Sequence, residues 1–259
     1  MSAMWLRARD RTPPVRTVGD LALVYRGPAS TPGCPEAVAA ALARSRWGLT
    51  VRYVGPAEQL QLGPDVLAAA VLYAQPGGGS LGRAWRKVGR HAPALRRFVA
   101  DGGGYLGFCL GGYLAGETPG FGLLPGDTDQ WISSRGASVD HPGDAVTTVV
   151  WAGVRRQVYV EDAPWFDLDP RRGPADVLAT YGNGLPAAVV APFGSGAVGV
   201  VGPHPEATAD WFTDVGLAVP ADLRADLTQD LVDRVMVQCG RRPSRWVGGR
   251  SVEPPAAAS

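Results

Sequence analysis

Cys109 stands in Gly107-Phe108-Cys109-Leu110-Gly111, with a glycine two residues to either side. A thiol becomes a nucleophile when its thiolate is stabilised, and a helix N-terminus does this through N–H groups that lack intrahelical partners. A strand-turn-helix elbow carries a side chain to such an end, and its tightness demands small neighbours on both sides. Phe108 would close the strand, and Leu110 to Ala115 would open the helix. The Leu110 N–H would then face the same space as the sulfur, where an oxyanion donor belongs. The alternative is a small buried cysteine among glycines needed for close packing, since cysteine is among the most buried residue types.

Two further segments have types that would complete such a site. Pro76-Gly77-Gly78-Gly79-Ser80 follows an apolar run, and glycine backbone at a strand end can turn an N–H into a pocket. Gly78 is the candidate second oxyanion donor. Gly77, Gly79 and Tyr113 are the candidate substrate-binding positions. An ordinary strand-helix loop would look similar. His204-Pro205-Glu206 ends a β-rich run. A cysteine nucleophile needs a base, and the base needs an orienting group. In extended chain, residues i and i+2 project to one side, so His204 and Glu206 can meet. The alternative is a surface His-Pro turn with Glu206 opening a helix. His91, in an Arg-rich segment, and His141, in Asp140-His141-Pro142-Gly143, read as solvated and turn positions.

The elements that must position these residues follow from periodicity and punctuation. Strands are expected at 21–25, 49–54, 71–74 and 105–108, with helices over 36–47 and 81–100, the latter interrupted at Pro93. A short helix fits before Val71. Alternation of this kind predicts a parallel sheet with helices on both faces, and ligands at the carboxyl ends of its strands. Short strand-like runs then follow at 146–151, 157–161, 177–181, 187–191 and 197–201, read as hairpins extending the same domain. Helices are expected at 207–215 and 223–238. Gly194-Ser195-Gly196-Ala197-Val198-Gly199 matches GxGxxG, but β-rich Val200-Val201 follows where a dinucleotide site needs a helix, so a hairpin turn is expected.

Composition narrows the function classes. The formal net charge is +1, which points to neither nucleic acid nor an anionic membrane. Lys87 is the only lysine. The three cysteines, Cys34, Cys109 and Cys239, are far apart, odd in number and outside any CxxC pattern. That argues against a disulfide framework and a zinc site and suits a reducing cytoplasm. The polar, Arg-rich stretch from Met1 to Val18 is not expected to be a signal peptide, and no run has the length of a membrane span. The expected organisation is a flexible N-terminal arm over 1–17, one domain over 18–240 and a disordered tail over 241–259.

The three motifs in this order resemble the class I glutamine amidotransferase-like superfamily, with its PGG oxyanion loop, GxCxG elbow and late His-Pro-Glu. Tyr73-Ala74-Gln75-Pro76-Gly77-Gly78-Gly79, Phe98 to Cys109 and Gly202-Pro203-His204-Pro205-Glu206 are similar to its biotin-protein-ligase N-terminal-type branch. The resemblance covers about Leu21 to Trp211. It implies an α/β flavodoxin-like three-layer sandwich with a mostly parallel central sheet and a β-hairpin extension. It also implies Cys109 as nucleophile, His204 as base, Glu206 as orienter, and Gly78 and Leu110 as oxyanion donors. The glutaminases of the superfamily usually carry Gln four residues after the nucleophile; Tyr113 stands there. No GRGRxG-type adenylate loop is present, so ligase activity is not expected.

The expected function is a cysteine amidohydrolase or amidotransferase-like activity on a carbon–nitrogen bond of a small-molecule amide or acyl substrate. An acceptor subunit is a possible partner; no cofactor and no metal are expected. The alternatives are a non-catalytic binding or regulatory module on the same fold, and a peptidase-like hydrolase.

Overall fold

The computed structural model describes residues 20–243. The expected arm over 1–17 lies outside them, as does the expected tail beyond Pro243. The first half runs β1 (Leu21–Tyr25), α1 (Cys34–Ala43), β2 (Thr50–Val54), α2 (Pro64–Ala68), β3 (Leu72–Gln75), α3 (Leu81–Val88), α4 (Ala92–Ala100), β4 (Gly104–Phe108) and α5 (Leu110–Ala115). The second half adds β5 (Gly126–Gln130), β6 (Ala145–Trp151), β7 (Val154–Val160), β8 (Pro164–Leu168), β9 (Asp176–Tyr181), β10 (Pro186–Phe193), β11 (Gly196–Val201), α6 (Ala209–Asp214) and α7 (Asp226–Gln238).

The strands form a nine-stranded sheet in the order β2-β1-β3-β4-β11-β10-β9-β6-β7. Pairing is parallel from β2 to β11 and antiparallel from β11 to β7. This is the expected flavodoxin-like α/β arrangement with its hairpin extension. Period-two alternation sorts side chains between two helical layers. Ala22, Val24, Leu72, Ala74, Leu106 and Phe108 face α1 and α7. Leu23, Tyr25, Tyr73 and Tyr105 face α2, α3, α4 and α5.

Local departures from the sequence reading have physical causes. α1 begins at Cys34 because the Gly33 N–H donates to Glu36 Oε2 at 2.9 Å. It ends at Ala43, and Trp47 instead turns to donate its indole N–H to Asp233 on α7 at 2.7 Å. The helix expected over 81–100 is broken by a 3-10 turn at Gly89–His91, and Pro93 sits in the first turn of α4, where its missing N–H has no cost. β7 starts at Val154, earlier than expected, because Ala152 and Gly153 adopt positive φ and close a two-residue hairpin from Trp151. The GxGxxG stretch is a hairpin turn, with Phe193 paired to Gly196 across Gly194-Ser195. β5 and β8 were not expected; they pair with each other as a separate two-stranded sheet.

Arg156 anchors the sheet extension to the segment that opens α7. Its guanidinium donates to Asp226 at 2.7 and 2.9 Å, to the Asp222 carboxylate at 3.1 Å and to the Asp222 carbonyl at 2.9 Å. The arginine is largely buried and its partners are half exposed. Arg156→Ala is expected to cost about 1–2 kcal/mol, read as a lowered urea midpoint with unchanged slope.

Candidate active site

The parallel order brings β3, β4 and β11 side by side. Their carboxyl ends deliver, in turn, the Pro76–Gly79 loop, Cys109 and the Gly202–Glu206 segment. Parallel strands share one direction, so three motifs far apart in sequence meet at one sheet edge.

Cys109 occupies the corner between β4 and α5 with φ 48° and ψ −104°. Positive φ in a side-chain-bearing residue is strained and persists where the surroundings hold it. Here the Cys109 N–H donates to the Val201 carbonyl at 2.9 Å, and its carbonyl accepts from Tyr113 at 3.0 Å. The Tyr105 hydroxyl, buried, donates to the Gly111 carbonyl at 2.7 Å. A Cβ on Gly107 would lie 2.3 Å from the Gly111 oxygen, and one on Gly111 would lie 2.0 Å from the Gln75 oxygen. The glycines of the motif therefore let α5 close onto β3 and β4. Because the Cys109 carbonyl points down α5, the Leu110 N–H of the same planar peptide points out of the helix end.

The glycine loop is built the same way. The Gly77 carbonyl accepts from the Thr31 N–H at 3.1 Å, so the Gly78 N–H of that peptide points to the opposite side. Gly78 has φ +121°, and a Cβ there would lie 2.1 Å from Thr31 N. Gly77 packs against the other two motifs: a Cβ on it would lie 2.6 Å from His204 Cε1 and 3.4 Å from Cys109 Cβ. Gln75, fully buried, donates to the Ala29 carbonyl at 2.8 Å and so ties the preceding loop to β3.

His204 and Glu206 meet as the i, i+2 spacing predicts, with Nδ1 to Oε1 at 2.8 Å. Glu206 precedes α6, whose N-cap is Thr208, so it caps no helix. The His204 N–H donates to the Tyr159 carbonyl at 2.8 Å, pinning the segment to β7. The rings of Tyr159 and Trp211 stand 6.0 and 5.2 Å from the imidazole. Burial alone would lower the His204 pKa, but the Glu206 carboxylate and the Cys109 sulfur outweigh it and hold the ring well above the usual imidazole range.

The sign of the resulting pH dependence follows. A ring whose folded pKa is raised stabilises the fold fully below its unfolded value of about 6.5, and that stability is lost as pH rises through the folded value. Glu206→Gln removes the main upward push. The alkaline fall in the thermal midpoint is expected to begin nearer neutral pH in the variant than in the wild type, as measured by melts across pH.

Cys109 lines an open cavity of about 490 Å³ together with Gly78, Gly79, Leu110 and Tyr113. Gly77 is set behind it against His204. The Tyr113 hydroxyl is held above its ordinary pKa by burial and by nearby Asp162, Cys109 and Asp129. The cavity is completed by residues the sequence reading did not single out, among them Asp129, Gln130, Glu161, Asp162 and Arg83. The paired acids Glu161-Asp162 at the end of a strand-like run were the available signal. The Glu161 carbonyl accepts from the Cys109 thiol at 3.4 Å. Trp131, Trp151 and Phe166 pack in the core, and Trp131 stacks on Tyr181 at 4.2 Å. A groove of about 510 Å³ between α2 and α4 lies away from Cys109.

Comparisons with known proteins agree with this architecture. Residues 21–129 match the family model "Biotin-protein ligase, N terminal". The imidazole glycerol phosphate synthase subunit HisH of Lacticaseibacillus casei is 28% identical over 172 residues, which cover 58% of this chain and 83% of that one. A glutamine amidotransferase from Thermotoga maritima superposes with a TM-score of 0.51 at 15% identity, over 85% of this chain and 93% of that one. The β-galactosidase of Bacillus circulans sp. alkalophilus gives a TM-score of 0.48 at 16% identity; the chain covers 31% of its length. In sequence the chain is similar to the imidazole glycerol phosphate synthase subunit HisH and, over residues 21–129, to the biotin-protein-ligase N-terminal family, and it shares its fold with the Thermotoga maritima glutamine amidotransferase. No helix among the described residues is long and apolar enough to cross a membrane.

Proposed function

We propose that the protein is a cysteine-dependent amidohydrolase or amidotransferase-like enzyme, working through Cys109, His204 and Glu206 within residues 18–240. The observation that carries this is the buried His204–Glu206 pair beside a cysteine held at positive φ over an open cavity. His204 takes the thiol proton, and the sulfur attacks the amide carbon. The Gly78 and Leu110 N–H groups receive the oxyanion, and Gly79 and Tyr113 border the substrate. His204 then protonates the leaving nitrogen, and water hydrolyses the thioester by the reverse proton path. A cytoplasmic setting and an acceptor subunit for the released amine fit this reading; the relative named above is itself a synthase subunit.

The test is labelling of Cys109, located by mass spectrometry, with an electrophilic glutamine analogue and with a plain alkylating agent. Labelling by both at rates above those of free cysteine is the expected result for a glutamine enzyme. Labelling by the second alone retains the nucleophile and discards glutamine, an outcome that Tyr113 in place of Gln favours. A Cys109 no more reactive than free cysteine would point instead to a non-catalytic binding module.

A further inference from the structure

The walls of the Cys109 cavity carry an uneven charge. Asp129, Glu161 and Asp162 line it, against a single cation, Arg83. The acids are held in place. Asp162 adopts φ 39°, a left-handed conformation, and accepts from the Gln130 side-chain amide at 2.7 Å. Asp129 accepts from the Gln130 backbone N–H at 2.7 Å. Among the described residues, none of the three carboxylates is in an ion pair. Arg83 is turned to Ser80 Oγ at 3.1 Å. Burial pushes the Glu161 carboxyl above its ordinary pKa against the pull of the nearby His204 ring, and Asp144, which accepts from the Tyr159 hydroxyl, adds a further negative charge beside it.

Two readings of such a wall can be separated. A metal site needs its ligands to converge, and no group of three or more His, Cys, Asp or Glu side chains among the described residues is arranged to hold an ion. Carboxylates spread around a cavity of about 490 Å³ instead suit a diffuse organic cation reaching past the sulfur. The second, independent observation is the thiol itself. Cys109 is only 8% exposed, yet it lines this cavity, so what the acids attract is brought to the sulfur.

We propose that the substrate of this site carries a positive charge next to its scissile amide, as an amine- or guanidine-bearing amide does. The proposal rests on the reading of Cys109 as the nucleophile. A free amino acid brings an α-ammonium that this wall attracts together with an α-carboxylate that it repels, whereas a cationic amide brings the attracted charge alone.

The test uses the full-length protein and three methanethiosulfonates that share one leaving group: 2-aminoethyl, methyl and 2-sulfonatoethyl. In each, the Cys109 thiolate displaces methanesulfinate and forms a mixed disulfide, and the rate at Cys109 is read by mass spectrometry. Each rate is divided by that with 2-mercaptoethanol at the same pH and salt. The cationic reagent is expected to exceed the neutral one by on the order of tenfold at low ionic strength, with the anionic one slower than neutral by a similar factor. The spread should shrink in high salt, and Asp129→Asn and Asp162→Asn should each narrow it. Asn tolerates the left-handed conformation at position 162. Equal normalised rates, or preference for the anion, would overturn the charge inference while leaving the nucleophile in place. Failure of all three reagents to outpace the free thiol would overturn the nucleophile reading and this one with it. The wild-type ratios and their salt dependence decide the matter even where a variant folds poorly.

Discussion

Cys109→Ala is expected to lower turnover of any amide substrate by about ten-thousandfold or more, because the covalent path is removed and only binding and oxyanion donation remain. The fold should survive. The alanine keeps Cβ in the same backbone well, and the losses are a weak sulfur bond to the Glu161 carbonyl at 3.4 Å and the sulfur's interaction with the His204 ring. Cys109→Gly sharpens the result. With φ at 48°, the native residue is strained. A glycine relieves that strain, so the inactive glycine variant should be more stable than wild type by about 1 kcal/mol. Activity and stability moving in opposite directions at one atom is the signature of strain kept for function. A buried structural cysteine would instead lose stability on truncation. The measurements are single-turnover rates and thermal midpoints of the three proteins side by side. His204→Ala is a less clean probe, since it leaves the buried Glu206 carboxylate without its only hydrogen-bond partner among the described residues.

What the sequence revealed of this site was what local chemistry encodes. Gly107 and Gly111 carry a steric requirement that can be read without coordinates, because the elbow admits no side chain there. His204 and Glu206 were paired by the two-residue period of extended chain. The parallel sheet was legible because β1 to β4 are short apolar runs separated by helix-length segments, and their strand ends then had to lie together. The acidic wall was not legible. Asp129 belongs to β5, whose sequence Gly-Asp-Thr-Asp-Gln has no apolar alternation, and its partner β8 lies far along the chain. Strands held by a distant partner leave little trace in their own residues. Asp162 reaches the cavity only because of a positive φ and a bond from Gln130, both consequences of the assembled fold.

Gly111→Ala tests the elbow from its packing. A Cβ at this position would stand 2.0 Å from the Gln75 carbonyl oxygen and 2.9 Å from its carbon, and both are backbone atoms that cannot swing aside. Gln75 is itself fixed, paired within β3 to Gly107 and bonded through its side chain to the Ala29 carbonyl. The first turn of α5 would therefore have to lift from β3, breaking the bond from Tyr105 to the Gly111 carbonyl and moving Leu110 with Cys109. Such a backbone clash is expected to cost about 3–4 kcal/mol, at the upper end of what single substitutions do. Gly82→Ala is the matched control. Gly82 lies in α3, and a Cβ there meets nothing within 4 Å. Alanine is the better helix former, so this change should raise stability by about 0.5–1 kcal/mol. The thermal midpoints of the two variants should therefore shift in opposite directions. Any Gly111→Ala protein that remains folded should also lose the enhanced reactivity of Cys109, since the Leu110 N–H and the sulfur would no longer share one corner. A Gly111→Ala variant as stable and as reactive as wild type would mean that α5 does not close on β3 as described, and the elbow would lose its physical basis.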